Sequence, residues 1–140
     1  MQVSEAMSRD VHIARPDQTI ADIARIMFDA DIGSLPVGDG DRLVGMITDR
    51  DITVRGVGKG LGPQTHVREV MTSEVKYCFD DDEIDDVARN LGIEQLHRLP
   101  VIDRDKHLVG ILALADLANM DQDGATATAV EGISRPTAKR

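Results

Sequence analysis

Hydrophobic positions along the chain form one pattern that occurs twice. Val11 and Ile13 alternate with polar neighbours, as in a short strand. Ile20, Ile23, Ala24 and Met27 then recur at i, i+3, i+4 and i+7, which predicts an amphipathic helix over 19–30. Two apolar runs follow, 35–37 and 43–47, joined by Gly-Asp-Gly-Asp at 38–41, a hairpin signal. A short helix starting near Asp49 closes the unit. The second half repeats the order: Val75 and Tyr77 as a strand, then Ile84, Val87, Ala88 and Leu91 on a helix over 83–93. Strands over 99–102 and 107–112 are joined across Asp103-Arg104-Asp105-Lys106, and a helix begins near Leu114. The pattern predicts an α/β fold made of a βαββα unit used twice.

The duplication is visible residue by residue. A shift of 64 aligns Val3–Val11 with Val67–Val75, and 12 of the 35 positions over 3–37 are identical. One residue is inserted in the second copy near Asp103–Lys106, and a shift of 65 then carries Leu43-Val44-Gly45 onto Leu108-Val109-Gly110 and Asp51 onto Asp116. The stretch 55–66 holds four glycines and a proline and reads as a loop. The expected organisation is a first unit over 1–58, a glycine-rich linker over 59–66, a second unit over 67–120 and a polar tail over 121–140. Within that tail, 127–133 reads as a single helical turn.

Composition narrows the function classes. The chain has 140 residues, a net charge of −9, no Trp, one Tyr and two Phe. A nucleic-acid partner is excluded on that balance, because a polyanion is repelled and there is little to stack on bases. No apolar run approaches the roughly 18 residues of a membrane span, and Met1–Asp10 lacks the apolar core of a signal peptide. The single cysteine, Cys78, forms no internal disulfide and suits a reducing, cytoplasmic setting.

The junction Gly45-Met46-Ile47-Thr48-Asp49-Arg50-Asp51 is the most informative stretch. A helix start presents unpaired N–H groups, a hydroxyl at Thr48 adds a donor for a phosphate oxygen, and the Asp51 carboxylate can accept from the hydroxyls of a ribose. Gly45 allows a close backbone approach. The same residues also read as plain capping, with Thr48 or Asp49 at the N-cap and Asp51 favourable in the first turn. No poised nucleophile, general acid or general base is evident, so no enzyme is expected. The four histidines form no ligand-spaced cluster with Cys78, and the run Asp80–Asp86 reads better as an acidic first helical turn than as a Mg²⁺ site; no metal is expected. Met7 and Met71, at matching repeat positions, read as core plugs. Arg50 and Arg55 read as facing water or Asp partners.

The duplicated unit, the Leu-Pro-Val strands, the Leu-Val-Gly-Met-Ile-Thr-Asp-Arg-Asp junction and the two V-x-E-x-M lead segments resemble a pair of CBS (cystathionine β-synthase) domains, a Bateman module. The resemblance covers residues 3 to about 119 and looks like the small stand-alone bacterial CBS pairs. It implies two repeats packed about a pseudo-twofold axis, with an adenosine nucleotide (AMP, ADP, ATP or a related adenosyl ligand) in a cleft between them. The family's Gly-x-x-Thr/Ser-x-x-Asp pattern falls on Gly45, Thr48 and Asp51, with Thr48 at the phosphate and Asp51 at the ribose. Adenine is expected against the segment around Val11–Ala14, which includes His12 and Ile13. His97 and Arg98 stand where related modules place phosphate-contacting side chains from the opposite unit; a solvated strand-edge pair is the other reading. The second copy carries Ala113 where the hydroxyl should be, although Asp116 can still hold a ribose. The resemblance further implies a homodimer through exposed helix faces near Ile26, Phe28, Leu61 and Ile93. Two functions follow: a regulatory nucleotide sensor that signals to an effector protein, or a ligand-independent CBS scaffold.

Overall fold

The computed structural model describes residues 1–94 and 98–113. The expected helix from Leu114 and the turn at 127–133 lie outside the described residues. Two compact units are present, one of Met1–Val11 with Lys76–Arg140 and the other of His12–Val75. The repeat in the sequence and the compact units are therefore divided differently. Each lead segment packs with the hairpin of the other copy.

In the unit His12–Val75, α1 (Ile20–Ala30) is capped by the Thr19 side chain, which accepts from the Asp22 N–H at 3.1 Å. Strands β1 (Ser34–Asp39) and β2 (Arg42–Thr48) form an antiparallel hairpin whose turn contains Gly40 at φ +62°, a conformation glycine adopts without cost. The chain then continues through α2 (Asp49–Asp51), a π-helical turn over Ile52–Gly56 and a 3₁₀ turn over Val57–Lys59. Ordered helical turns thus extend into the stretch expected to be a loop. Ile20, Ile23 and Met27 bury against Leu35, Val37, Ile47, Val67 and Val70. Ala24 stays exposed, and Ile26 packs partly against the core instead.

The unit of Met1–Val11 and Lys76–Arg140 repeats the plan. Strand β3 (Cys78–Phe79) runs parallel to β4 (Arg98–Ile102), which pairs antiparallel with β5 (Leu108–Ala113). Helix α3 (Ile84–Glu94) buries Ile84, Val87 and Ala88 against Val3, Cys78, Leu99, Val101 and Leu112. Both hairpins carry the same irregularity: the register slips between Val37 and Gly38 in one and between Val101 and Ile102 in the other. Val44 and Val109 are the extra residues of these two bulges.

The first strand of each repeat falls later than the sequence pattern predicts. Ala14 makes a parallel bridge to Val37, while Ile13 is 43% and Tyr77 48% exposed. The inward positions are Ala14 and Cys78, one residue on, because a single-residue slip sends every strand side chain to the opposite face. Burial also pushes the Cys78 thiol up to about 12, so it stays protonated.

Candidate functional site

The residues of the Gly-x-x-Thr-x-x-Asp stretch are gathered in the His12–Val75 unit. Gly45 lies opposite Val37, next to the bulge. A β-carbon built on Gly45 would meet the Thr72 carbonyl oxygen at 2.7 Å and the Met71 sulfur at 2.9 Å. The close approach anticipated at this glycine is therefore made by the chain itself, by the lead segment over 67–72. Met46 and Thr72 exchange two backbone hydrogen bonds, at 2.9 and 2.8 Å, and the Arg55 guanidinium donates to the Met71 carbonyl at 3.0 Å.

Thr48 ends β2 in an extended conformation, φ −119° and ψ 162°, and forms a capping box with Asp51. The Asp51 N–H donates to Thr48 Oγ1 and the Thr48 N–H donates to Asp51 Oδ2, both at 3.0 Å. Of the two residues offered as N-cap, Thr48 takes the role. Asp49 instead donates its N–H to the Gly33 carbonyl at 3.0 Å and accepts from the Arg50 N–H at 2.8 Å. Asp51 is only 8% exposed. Its second oxygen, Oδ1, lies 3.5 Å from the Thr72 hydroxyl. Thr48 keeps its own hydroxyl proton for a further acceptor.

Other anticipated positions are less gathered. His12 and Ile13 belong to the same unit and are exposed. Arg98 is half-buried at the start of β4, opposite Ala113, in the other unit. His97 and Asp116 lie outside the described residues. Sequence reasoning missed Thr72, although the repeat held a signal: the methionines at 7 and 71 are each followed by a hydroxyl residue, Ser8 and Thr72.

A family model described as "CBS domain" matches residues 3–57 and 67–122. The chain belongs to the CBS domain family. It is 36% identical over 133 residues to the CBS domain-containing protein YhcV of Bacillus subtilis, covering 94% of each chain. It is 35% identical over 136 residues to hypoxic response protein 1 of Mycobacterium tuberculosis, covering 96% of this chain and 94% of that one. A crystal structure of hypoxic response protein I with two coordinated zinc ions superimposes with a TM-score of 0.76, over 85% of this chain and 98% of that one. A structure of CBSX2 in complex with AMP superimposes with a TM-score of 0.75 at 26% identity, over 85% of this chain and 94% of that one.

Within the second CBS copy the glycine is used in the same way as in the first. A β-carbon on Gly110 would meet the Met7 sulfur at 2.7 Å and the Ser8 carbonyl oxygen at 2.8 Å. Both methionines pack partly against the cores, as the repeat implied. The acidic run of this copy is largely occupied by its own structure. Asp82 accepts from the Phe79 N–H at 2.9 Å, and Asp81 pairs with Arg104 at 2.7 Å, which holds its carboxyl below the usual range. The Arg104 guanidinium also lies over the Phe79 ring, 3.9 Å from its centroid.

A second group of donors, unnoticed in the sequence, sits in the β4–β5 turn. Ligand atoms of Asp103, Asp105 and His107 lie within 4.8 Å of one another. The Asp103 carboxylate already accepts the His107 N–H at 2.8 Å and the Asp105 N–H at 3.0 Å, and the first of these does most to hold its pKa low. These bonds close a turn in which Lys106 sits at φ +69°. No helix among the described residues is long and apolar enough to cross a membrane.

Proposed function

We propose that this CBS pair is a cytoplasmic regulatory module that binds an adenosine nucleotide at Gly45, Thr48 and Asp51 and passes its state to an effector protein. The observation that carries the reading is the Asp51 carboxylate: nearly buried, held by the Thr48 N–H through one oxygen, and accepting only a long bond, 3.5 Å, from the Thr72 hydroxyl through the other. A carboxylate oxygen with one long bond keeps a lone pair for a second donor, and a ribose hydroxyl has the right chemistry. The AMP complex of the similar CBSX2 supports the same class of ligand. His12, Ile13, His97, Arg98 and Asp116 are further ligand-binding positions of this proposal, and the module carries out no catalysis.

A thermal-shift panel over AMP, ADP, ATP and S-adenosylmethionine tests it. A ligand that binds only the native state adds about 2.7 kcal/mol at 100 times its Kd. A clear upward shift with at least one adenosine ligand is the expected result; no shift at millimolar concentration refutes the sensor. The capping box favours the second reading, a ligand-independent scaffold, because it gives Thr48 and Asp51 a structural purpose without any ligand.

We also propose a homodimer. Phe28 on α1 is 85% exposed, and Val54, Val57 and Leu61 in the turns after α2 are 48%, 68% and 38% exposed. Exposed apolar side chains on neighbouring turns are the surface a twofold contact covers. Sedimentation is expected to give twice the 15.2 kDa chain mass, and Phe28→Glu to return it to the monomer. A monomeric wild-type protein at micromolar concentration would refute this arrangement.

A further inference from the structure

The capping box leaves Asp51 with one oxygen to offer, and a hydroxyl from a distant part of the chain stands beside it. We propose that Thr72 is a specificity-determining residue of the nucleotide site, its hydroxyl and Asp51 Oδ1 together accepting the two hydroxyls of a ribose. This rests on the nucleotide reading above.

A vicinal diol presents two donors on adjacent carbons, so a protein that reads both needs two neighbouring acceptors. A free carboxylate supplies both from its own oxygens. Here Oδ2 already accepts the Thr48 N–H at 3.0 Å, so Oδ1, with only a long bond, is the freer of the two. Thr72 Oγ1 lies 3.5 Å from Oδ1. The Thr72 hydroxyl donates to Oδ1 across that distance, longer than the roughly 2.5–3.0 Å of a well-formed O–H···O bond, so the bond is weak and both oxygens keep lone pairs for a further donor. The two acceptors are spaced closely enough for one diol.

The Thr72 side chain is half-buried, yet its backbone is tightly held. It pairs in both directions with Met46, its carbonyl presses on the Gly45 backbone, and Arg55 fixes the preceding carbonyl. A threonine hydroxyl both donates and accepts, so with its proton on Asp51 Oδ1 its oxygen can still accept from the sugar. Its counterpart Ser8 sits on β5 in the same way, exchanging backbone hydrogen bonds with Ile111 at 2.8 and 2.9 Å. Both copies therefore keep a hydroxyl at this position.

Calorimetric titration of the full chain with AMP, 2′-deoxy-AMP and 3′-deoxy-AMP tests the assignment in wild type, Thr72→Val and Thr72→Ser. Both deoxy analogues are expected to bind wild type more weakly than AMP. Thr72→Val should weaken AMP by about three- to ten-fold and leave unchanged the analogue that lacks the hydroxyl Thr72 reads; Thr72→Ser should bind all three as wild type does. Thr72→Val binding AMP as tightly as wild type would overturn the proposal. So would an equal loss for all three ligands, which marks a merely structural residue. A wild-type protein that binds none of them would instead remove the nucleotide reading, and this inference with it.

Discussion

Gly45→Ala and Gly110→Ala are each expected to destabilise the protein by about 1–3 kcal/mol, the usual cost of forcing extra carbon into a packed site. The new methyl would lie 2.7 Å from the Thr72 carbonyl oxygen in one case and 2.8 Å from the Ser8 carbonyl oxygen in the other. A methionine side chain can move aside, but a carbonyl that is paired through its own strand-like bridge cannot move without breaking it. Urea denaturation of the two variants measures the cost. Gly62→Ala, where an added β-carbon meets nothing within 4 Å, serves as the control and should stay near wild type. If Gly45→Ala is as stable as Gly62→Ala, the contact between the lead segment and the β2 bulge is looser than the structure describes.

Asp51→Ala is expected to do two separable things. It removes the capping box, costing about 0.5–2 kcal/mol of stability. It also removes the proposed sugar acceptor, which lowers nucleotide affinity by about 10- to 150-fold. The bond from the Thr48 N–H to Oδ2 is why stability must fall as well as binding. Asp51→Asn separates the effects. Its amide oxygen can still accept the Thr48 N–H, so most of the stability should return, while the amide nitrogen presents donors to a ligand that needs an acceptor. Chemical denaturation and AMP titration of both variants check this. Lost stability with unchanged binding would make Asp51 a helix cap and no more, and abolished binding in Asp116→Ala alone would move the site to the second copy.

Much of the CBS architecture was legible in the residue pattern because its elements have simple periods. The amphipathic spacing of Ile20, Ile23 and Met27 and of Ile84, Val87 and Ala88 gave both long helices within a residue or two. The Gly-Asp-Gly-Asp turn and the Leu-Pro-Val runs gave both hairpins. The short first strands were less legible. With only one or two paired residues each, Ala14 and Cys78–Phe79 carry too few positions for alternation to set the register.

The candidate site divides in the same way. Gly45, Thr48 and Asp51 could be found because strand end, cap and first turn are neighbours in the chain. The repeat marks a hydroxyl residue at 72, but only the lead segment seen against β2 places Thr72, 21 residues from Asp51, beside it.

By itself, then, the sequence determined the duplication, which a shift of 64 residues exposes, and the helices, the hairpins and the capping chemistry, which depend on residues a few positions apart. The tertiary structure decided which hairpin each lead segment joins. Both segments carry V-x-E-x-M followed by a hydroxyl residue, and both hairpins carry Leu-Val-Gly, so either pairing satisfies the same contacts. Local chemistry cannot choose between two chemically equivalent partners; the path of the folded chain does, sending Met7 and Ser8 to Gly110 and Met71 and Thr72 to Gly45.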